Sequence, residues 1–222
     1  FEPIRTLNQN IQDMVDHGNI DERQARMMRK LIVNMYLFNP MTLQDLDLKF
    51  MKELRGGEIQ TDIRTGRRTI SIGGQARRAN DKLNPVLILA HELAHQGAME
   101  FIMNDQASYK RFEALMHQKG RSLLTKLYTA WHGGVETPDT RAEIDYAMEN
   151  VDEFIASLGS FYLLGDFNTL MNEDFTVDEH EVLKGAQKWI SKLFGYMRRI
   201  FERIGFIWSE ELKNEDINRI MN

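Results

Sequence analysis

Apolar positions recur at helical spacing along most of the chain and alternate in one stretch. Between Asp21 and Phe38, Ala25, Met28, Ile32, Met35 and Tyr36 form a stripe that predicts a helix, stopped by Asn39-Pro40. Thr42 then reads as the cap of a second helix, from Leu43 to about Leu54, closed by Gly56-Gly57. The period changes after it. Ile59, Thr61 and Ile63 alternate with Glu58, Gln60 and Asp62, Thr65-Gly66 supplies a turn, and Thr69-Ile70-Ser71-Ile72 follows before Gly73-Gly74. This predicts a β-hairpin. Gln75 to Lys82 is a polar loop whose Arg77 and Arg78 read as solvated.

Helical spacing returns from Asn84. Asn84 caps, Pro85 takes the first helical position, and Val86 to Ala90 are apolar, so the helix through Gln96 enters a core. Asp105 to Lys119 predicts another helix, with Tyr109, Phe112, Leu115 and Met116 on one side and Gly120 at its end; Ser122 to Trp131 is a shorter one, followed by the loop His132-Gly133-Gly134. Thr137-Pro138 repeats the cap-then-proline signal and opens a helix to Met148. Asn150 caps the next, Val151 to Leu164, with Phe154, Ile155, Leu158, Phe161 and Tyr162 as its apolar positions. Val177 to Ile204 is one long amphipathic pattern with a basic side. It reads as a helix packed on the domain with solvated lysines and arginines, the alternative being a membrane or partner contact. The many methionines read as flexible core filling. The fold class is α+β, mainly helical. The expected organisation is an N-terminal helical segment (1–57), a core (58–165) and a C-terminal amphipathic segment (166–222).

Composition narrows the function classes. The 222 residues carry a net charge of −5 and no cysteine. The acidic balance does not indicate a nucleic-acid partner, and the missing thiols exclude disulfides, thiolate metal sites and cysteine nucleophiles. No apolar run reaches the roughly 20 residues of a membrane span. The chain opens at Phe1 with neither an initiator methionine nor a signal pattern. That reads as a segment of a longer protein, cytoplasmic unless targeting signals lie outside it.

The chemistry lies in His91-Glu92-Leu93-Ala94-His95. Residues i and i+4 share a helix face, so two imidazoles there can bind one metal ion. Glu92, about 100° round the helix from His91, is placed to act as general base without being a ligand. Zinc is the ion that such sites most often hold, commonly with three protein ligands. The pattern in which a third histidine lies six residues on is excluded, because Phe101 stands there and Ala98 replaces its glycine. A carboxylate on a second helix is the other solution. Glu153 is the best candidate, just inside the helix that Asn150 caps; Glu149 and Asp152 compete, and a capping box with Asn150 would also explain Glu153.

The pair His91-Glu92-Leu93-Ala94-His95 and Glu153-Phe154-Ile155-Ala156 resembles the gluzincin class of zinc metallopeptidases, its small minigluzincin members best. Tyr146 to Phe154 is similar to a stretch found in peptidase-like domains of phage and mobile-element polyproteins. The resemblance runs from about Ile59 to Leu164. It departs from the family at Val151, where proline is usual, and at Ser157, where an acid is common. It implies a zincin-like core with a small antiparallel sheet and an active-site helix, and a zinc held by His91, His95 and Glu153. It further implies Glu92 as base, a peptide or protein substrate, and an oxyanion stabiliser for which Tyr146, Tyr162 and His132 are candidates. Thr69 to Ile72 would be the sheet edge along which an extended peptide pairs. The other reading is a degenerate zinc-binding scaffold or interaction domain in a larger chain.

Overall fold

The computed structural model describes residues 2–38, 40–75, 84–96, 106–131 and 137–164. Seven α-helices and three strands lie among these residues, giving a mainly helical α+β fold. Two compact units divide the chain, with the boundary between Leu93 and Ala94.

In the first unit, α1 (Glu2–Asp16) buries Ile4, Leu7, Ile11 and Met14, a stripe spaced by three and four residues. α2 (Glu22–Phe38) opens on a reciprocal cap. The Asp21 carboxylate accepts from Gln24 N–H at 2.8 Å, and Asp21 N–H donates to the Gln24 side chain at 2.7 Å. Ala25, Met28, Ile32 and Met35 are buried, as their spacing predicts, and Met27, Leu31 and Val33 join them. α1 packs on α2 and on the first strand.

The helix expected from Leu43 to Leu54 is a strand. A short 3-10 turn spans Pro40–Leu43, Asp45 takes a left-handed φ of 53°, and β1 runs Leu46–Arg55. The apolar residues here satisfy both periods: Leu43, Leu46, Phe50 and Leu54 suit a helix, whereas Leu46, Leu48 and Phe50 alternate with Asp47 and Lys49. Pairing decides between them, and Leu46 and Leu48 are buried in the ladder while Lys49 faces out.

β2 (Gly57–Thr61) and β3 (Arg68–Gln75) form the expected hairpin, antiparallel from Gly57 opposite Ile72 to Thr61 opposite Arg68. At its tip the Asp62 carboxylate accepts from Arg64 N–H at 2.8 Å and Thr65 N–H at 3.2 Å. β1 pairs parallel with β3, Leu46 opposite Arg68 through Met51 opposite Gly73. The sheet order is therefore β1-β3-β2, and the sheet is mixed rather than wholly antiparallel. Thr69 to Ile72 lies in its central strand. The expectation of an edge strand there is corrected: β3 uses both of its sides in pairing, and among the described residues the edges are β1 and β2.

The chain returns as α3 (Asn84–Ala94), which buries Val86, Leu89, Ala90 and Leu93. The unit boundary falls inside this helix.

Every regular element among the second unit's described residues is a helix. α4 (Gln106–Leu115) passes through a π turn, Met116–Gly120, into α5 (Arg121–Trp131). Gly120 was expected to end a helix. Instead it sits in the wide turn, buried, where a Cβ would come within 2.9 Å of the Phe154 ring. Thr137 caps α6 (Pro138–Ala147): its hydroxyl accepts from Thr140 N–H at 3.2 Å, and Thr140 reciprocates at 3.3 Å. α7 (Val151–Leu164) is the core of this unit and packs against α4, α5 and α6. Phe154, Ile155, Leu158 and Phe161 are fully buried, and Tyr128 of α5 meets Phe161 edge to face at 5.0 Å.

No described helix is long and apolar enough to cross a membrane. The Val177–Ile204 pattern, Arg77, Arg78 and His132 lie outside the described residues, as does the Tyr162 side chain.

Candidate metal centre

α3 is an ordinary α-helix through Ala94 and widens into a π turn at His95 and Gln96. Turns of this kind inside or at the end of helices are frequent at functional sites. His91 and His95 are half-buried on it, and Glu92 between them is 9% exposed.

Glu153 comes from the first turn of α7. Its backbone N–H donates to the Asn150 side chain at 2.9 Å, so Asn150 is the cap that the sequence predicts. The Glu153 carboxylate stands with Oε2 at 3.5 Å from His95 Nε2. His91, His95 and Glu153 each offer one ligand atom, and these atoms all lie within 4.8 Å of one another. Two ligands on a tetrahedral ion, each about 2.0–2.2 Å from it, stand roughly 3.3–3.6 Å apart. The His95–Glu153 separation meets that requirement. The donor set of two neutral imidazoles and one carboxylate suits a borderline divalent ion. The three residues are thus close enough to hold a metal ion. Of the competing carboxylates, Glu149 is exposed, and Asp152, one residue before Glu153, is not part of the group.

Two glycines, neither of them assigned to the site by sequence reasoning, let the backbone come close to these side chains. Gly57 opens β2. A Cβ there would lie 2.6 Å from Glu92 Oε1 and 2.7 Å from Ile88 Cγ2, so the Glu92 carboxylate rests directly against the β2 backbone. On α7, a Cβ at Gly159 would lie 2.8 Å from that of Ala94, the residue before His95. The run Ala156-Ser157-Leu158-Gly159-Ser160 is the signal for that close approach, because small residues admit a neighbouring backbone. Gly57 carried no comparable signal, since its pairing with Gly56 reads equally well as a helix stop.

Of the candidates for stabilising an oxyanion, Tyr146 is on α6 and 37% exposed. Another tyrosine of the same unit, Tyr109, lies on α4. Burial, and then the negative charges of Asp152 and Glu113, push its phenol above the ordinary range. Asp152 itself has a buried Oδ1 without a protein partner.

Compared with models of known protein families, with curated proteins and with solved structures, the chain matches none of them. The resemblance to gluzincins therefore rests on the residues of α3 and α7 alone.

Proposed function

We propose that the chain is a zinc-dependent endopeptidase. The observation that carries this reading is the convergence of His91, His95 and Glu153 within 4.8 Å, with Glu92 on the same helical turn as His91. A bound zinc would lower the pKa of a water and polarise the scissile carbonyl. Glu92 would take the proton from that water and return it to the leaving amine. Its position suits a base: it is nearly buried, one helical step from His91, and it presses against the start of a strand.

The sheet edges support a peptide substrate. A free edge presents unpaired backbone groups, and proteins commonly cover such an edge. β1 is covered: its Leu48 N–H donates to the Asn10 side chain of α1 at 3.0 Å. β2 is the other edge among the described residues, and its first residue touches Glu92. An extended peptide pairing along Gly57–Thr61 would pass beside the proposed base. β2 thus takes the role first expected of Thr69 to Ile72. Backbone pairing makes few demands on sequence, so the substrate class is an extended, unstructured protein segment.

The test is cleavage of an unfolded casein-like protein by the purified chain. Cleavage should stop on chelation and return with stoichiometric zinc. A chain that binds zinc tightly and cleaves no unfolded protein would favour the zinc-binding scaffold.

A further inference from the structure

Ser157 is fully buried on α7, and its Oγ has no hydrogen-bond partner. A helical serine ordinarily satisfies its hydroxyl on the carbonyl four residues back. Ser160 shows a related arrangement, donating to the Ser157 carbonyl at 2.7 Å. Ser157 makes no such bond, so α7 carries an uncompensated buried hydroxyl in the unit's core. Such a group costs stability, and its retention calls for an explanation.

Its position supplies one. Ser157 is four residues after Glu153, and residues at that spacing lie one above the other on a helix. Side chains on a helix tilt toward its N-terminus, so this hydroxyl lies over the turn that holds Glu153. The Glu153 carboxylate is only 17% exposed. An ionised carboxylate has about four acceptor positions. A metal ion takes one of them, and a further donor can bond to another. Hydroxyl-to-carboxylate bonds are short and strong. Donors of this kind, one step removed from the ion, fix the orientation of ligating groups and commonly change metal affinity by about 10- to 100-fold.

We propose that Ser157 is a positioning residue of the metal centre, its buried hydroxyl donating to the Glu153 carboxylate when the ion is bound. The assignment rests on the metal-site reading of His91, His95 and Glu153.

The experiment compares the full chain with Ser157→Ala and Ser157→Thr. Zinc affinity is read by competition with a chromophoric chelator, the geometry of the site by the absorption spectrum of bound cobalt(II), and the apo fold by its unfolding midpoint. Ser157→Ala is expected to bind zinc about 10-fold or more weakly, to shift the cobalt bands, and to leave the apo midpoint unchanged or raised. Ser157→Thr, which keeps the hydroxyl, is expected to retain affinity within a few-fold. Unchanged zinc affinity and cobalt spectrum in Ser157→Ala would overturn the assignment and leave the metal site standing. Loss of the apo fold in Ser157→Ala would overturn it as well, because the hydroxyl would then serve the fold. A parent chain that binds no zinc, indistinguishable from His91→Ala, would overturn the metal site and this assignment together.

Discussion

Nε2 of His95 and Oε2 of Glu153 stand 3.5 Å apart, across two helices that the sequence separates by more than fifty residues. A histidine and a carboxylate at this distance can pair with each other or share an ion. His91 offers a third ligand atom within 4.8 Å of both, so the group is close enough to hold an ion.

The purified chain is accordingly expected to bind about one zinc. His95→Ala should abolish tight binding, and Glu153→Gln should weaken it sharply. Glu149→Gln should leave it nearly unchanged, because that side chain is exposed and outside the group. Zinc at 1,000 times its Kd should stabilise the folded chain by about 4 kcal/mol, and His95→Ala should lose that increment. Calorimetric unfolding with and without zinc reads it directly. Full zinc occupancy in the His95→Ala variant would move the site elsewhere.

Gly57 is the second test, because there the strand edge and the proposed base meet. A Cβ at this position cannot coexist with the observed places of Glu92 Oε1, at 2.6 Å, and Ile88 Cγ2, at 2.7 Å. Either the carboxylate swings away or β2 shifts from α3. Overpacking of this size typically costs about 1–3 kcal/mol. Gly57→Ala should lower the unfolding midpoint and reduce hydrolysis, while zinc binding by His91, His95 and Glu153 persists. A variant that cleaves as fast as the parent would separate the β2 edge from the chemistry.

The elements read most securely from sequence are those whose causes are local. Thr137-Pro138 and Asn150 cap the helices they were expected to cap, because a cap needs only its own neighbours. The His91–His95 spacing likewise needs only one helix. At β1 the sequence points to a helix, since Leu43, Leu46, Phe50 and Leu54 satisfy the helical period, and the ladder that outweighs it comes from β3, more than twenty residues on. The hairpin pattern implied the antiparallel β2–β3 pair. It carried no information that β1 would add in parallel and turn Thr69 to Ile72 into the centre of the sheet. α1 was legible in principle, since Ile4, Leu7, Ile11 and Met14 hold a clean helical stripe. The proximity of Glu153 to His95 depends on tertiary packing, and the residues alone left Glu149 and Asp152 open.

Tyr109 supplies a dependence on pH. Burial foremost, and then the charges of Asp152 and Glu113, raise its phenol above the unfolded value of about 10. Folding thus favours the protonated form. The associated stability is fully present below the unfolded pKa and is lost as pH rises through the folded one. Tyr109→Phe removes the ionisable group and should flatten the fall in unfolding midpoint above about pH 10. Parallel curves for the variant and its parent from pH 8 to 11 would refute this account of Tyr109.

Glu92 separates an enzyme from a zinc-stabilised scaffold. A general base contributes only while a proton is moving, and it makes no bond to the ion. Glu92→Gln is nearly isosteric, so its amide can occupy the nearly buried space against Gly57 and Ile88. The fold and the zinc should therefore survive. The amide cannot accept a proton at neutral pH, so hydrolysis should fall by about 100-fold or more, the usual size of a general acid–base contribution. His91→Ala should instead lose zinc and activity together. The contrast matters because a ligand and a base give the same result in an activity assay alone. Metal content must be measured on the same preparations, with cleavage of the unfolded substrate followed at saturating zinc. If Glu92→Gln keeps its zinc and cleaves at the parent rate, Glu92 is not the base, and its burial against β2 serves packing alone.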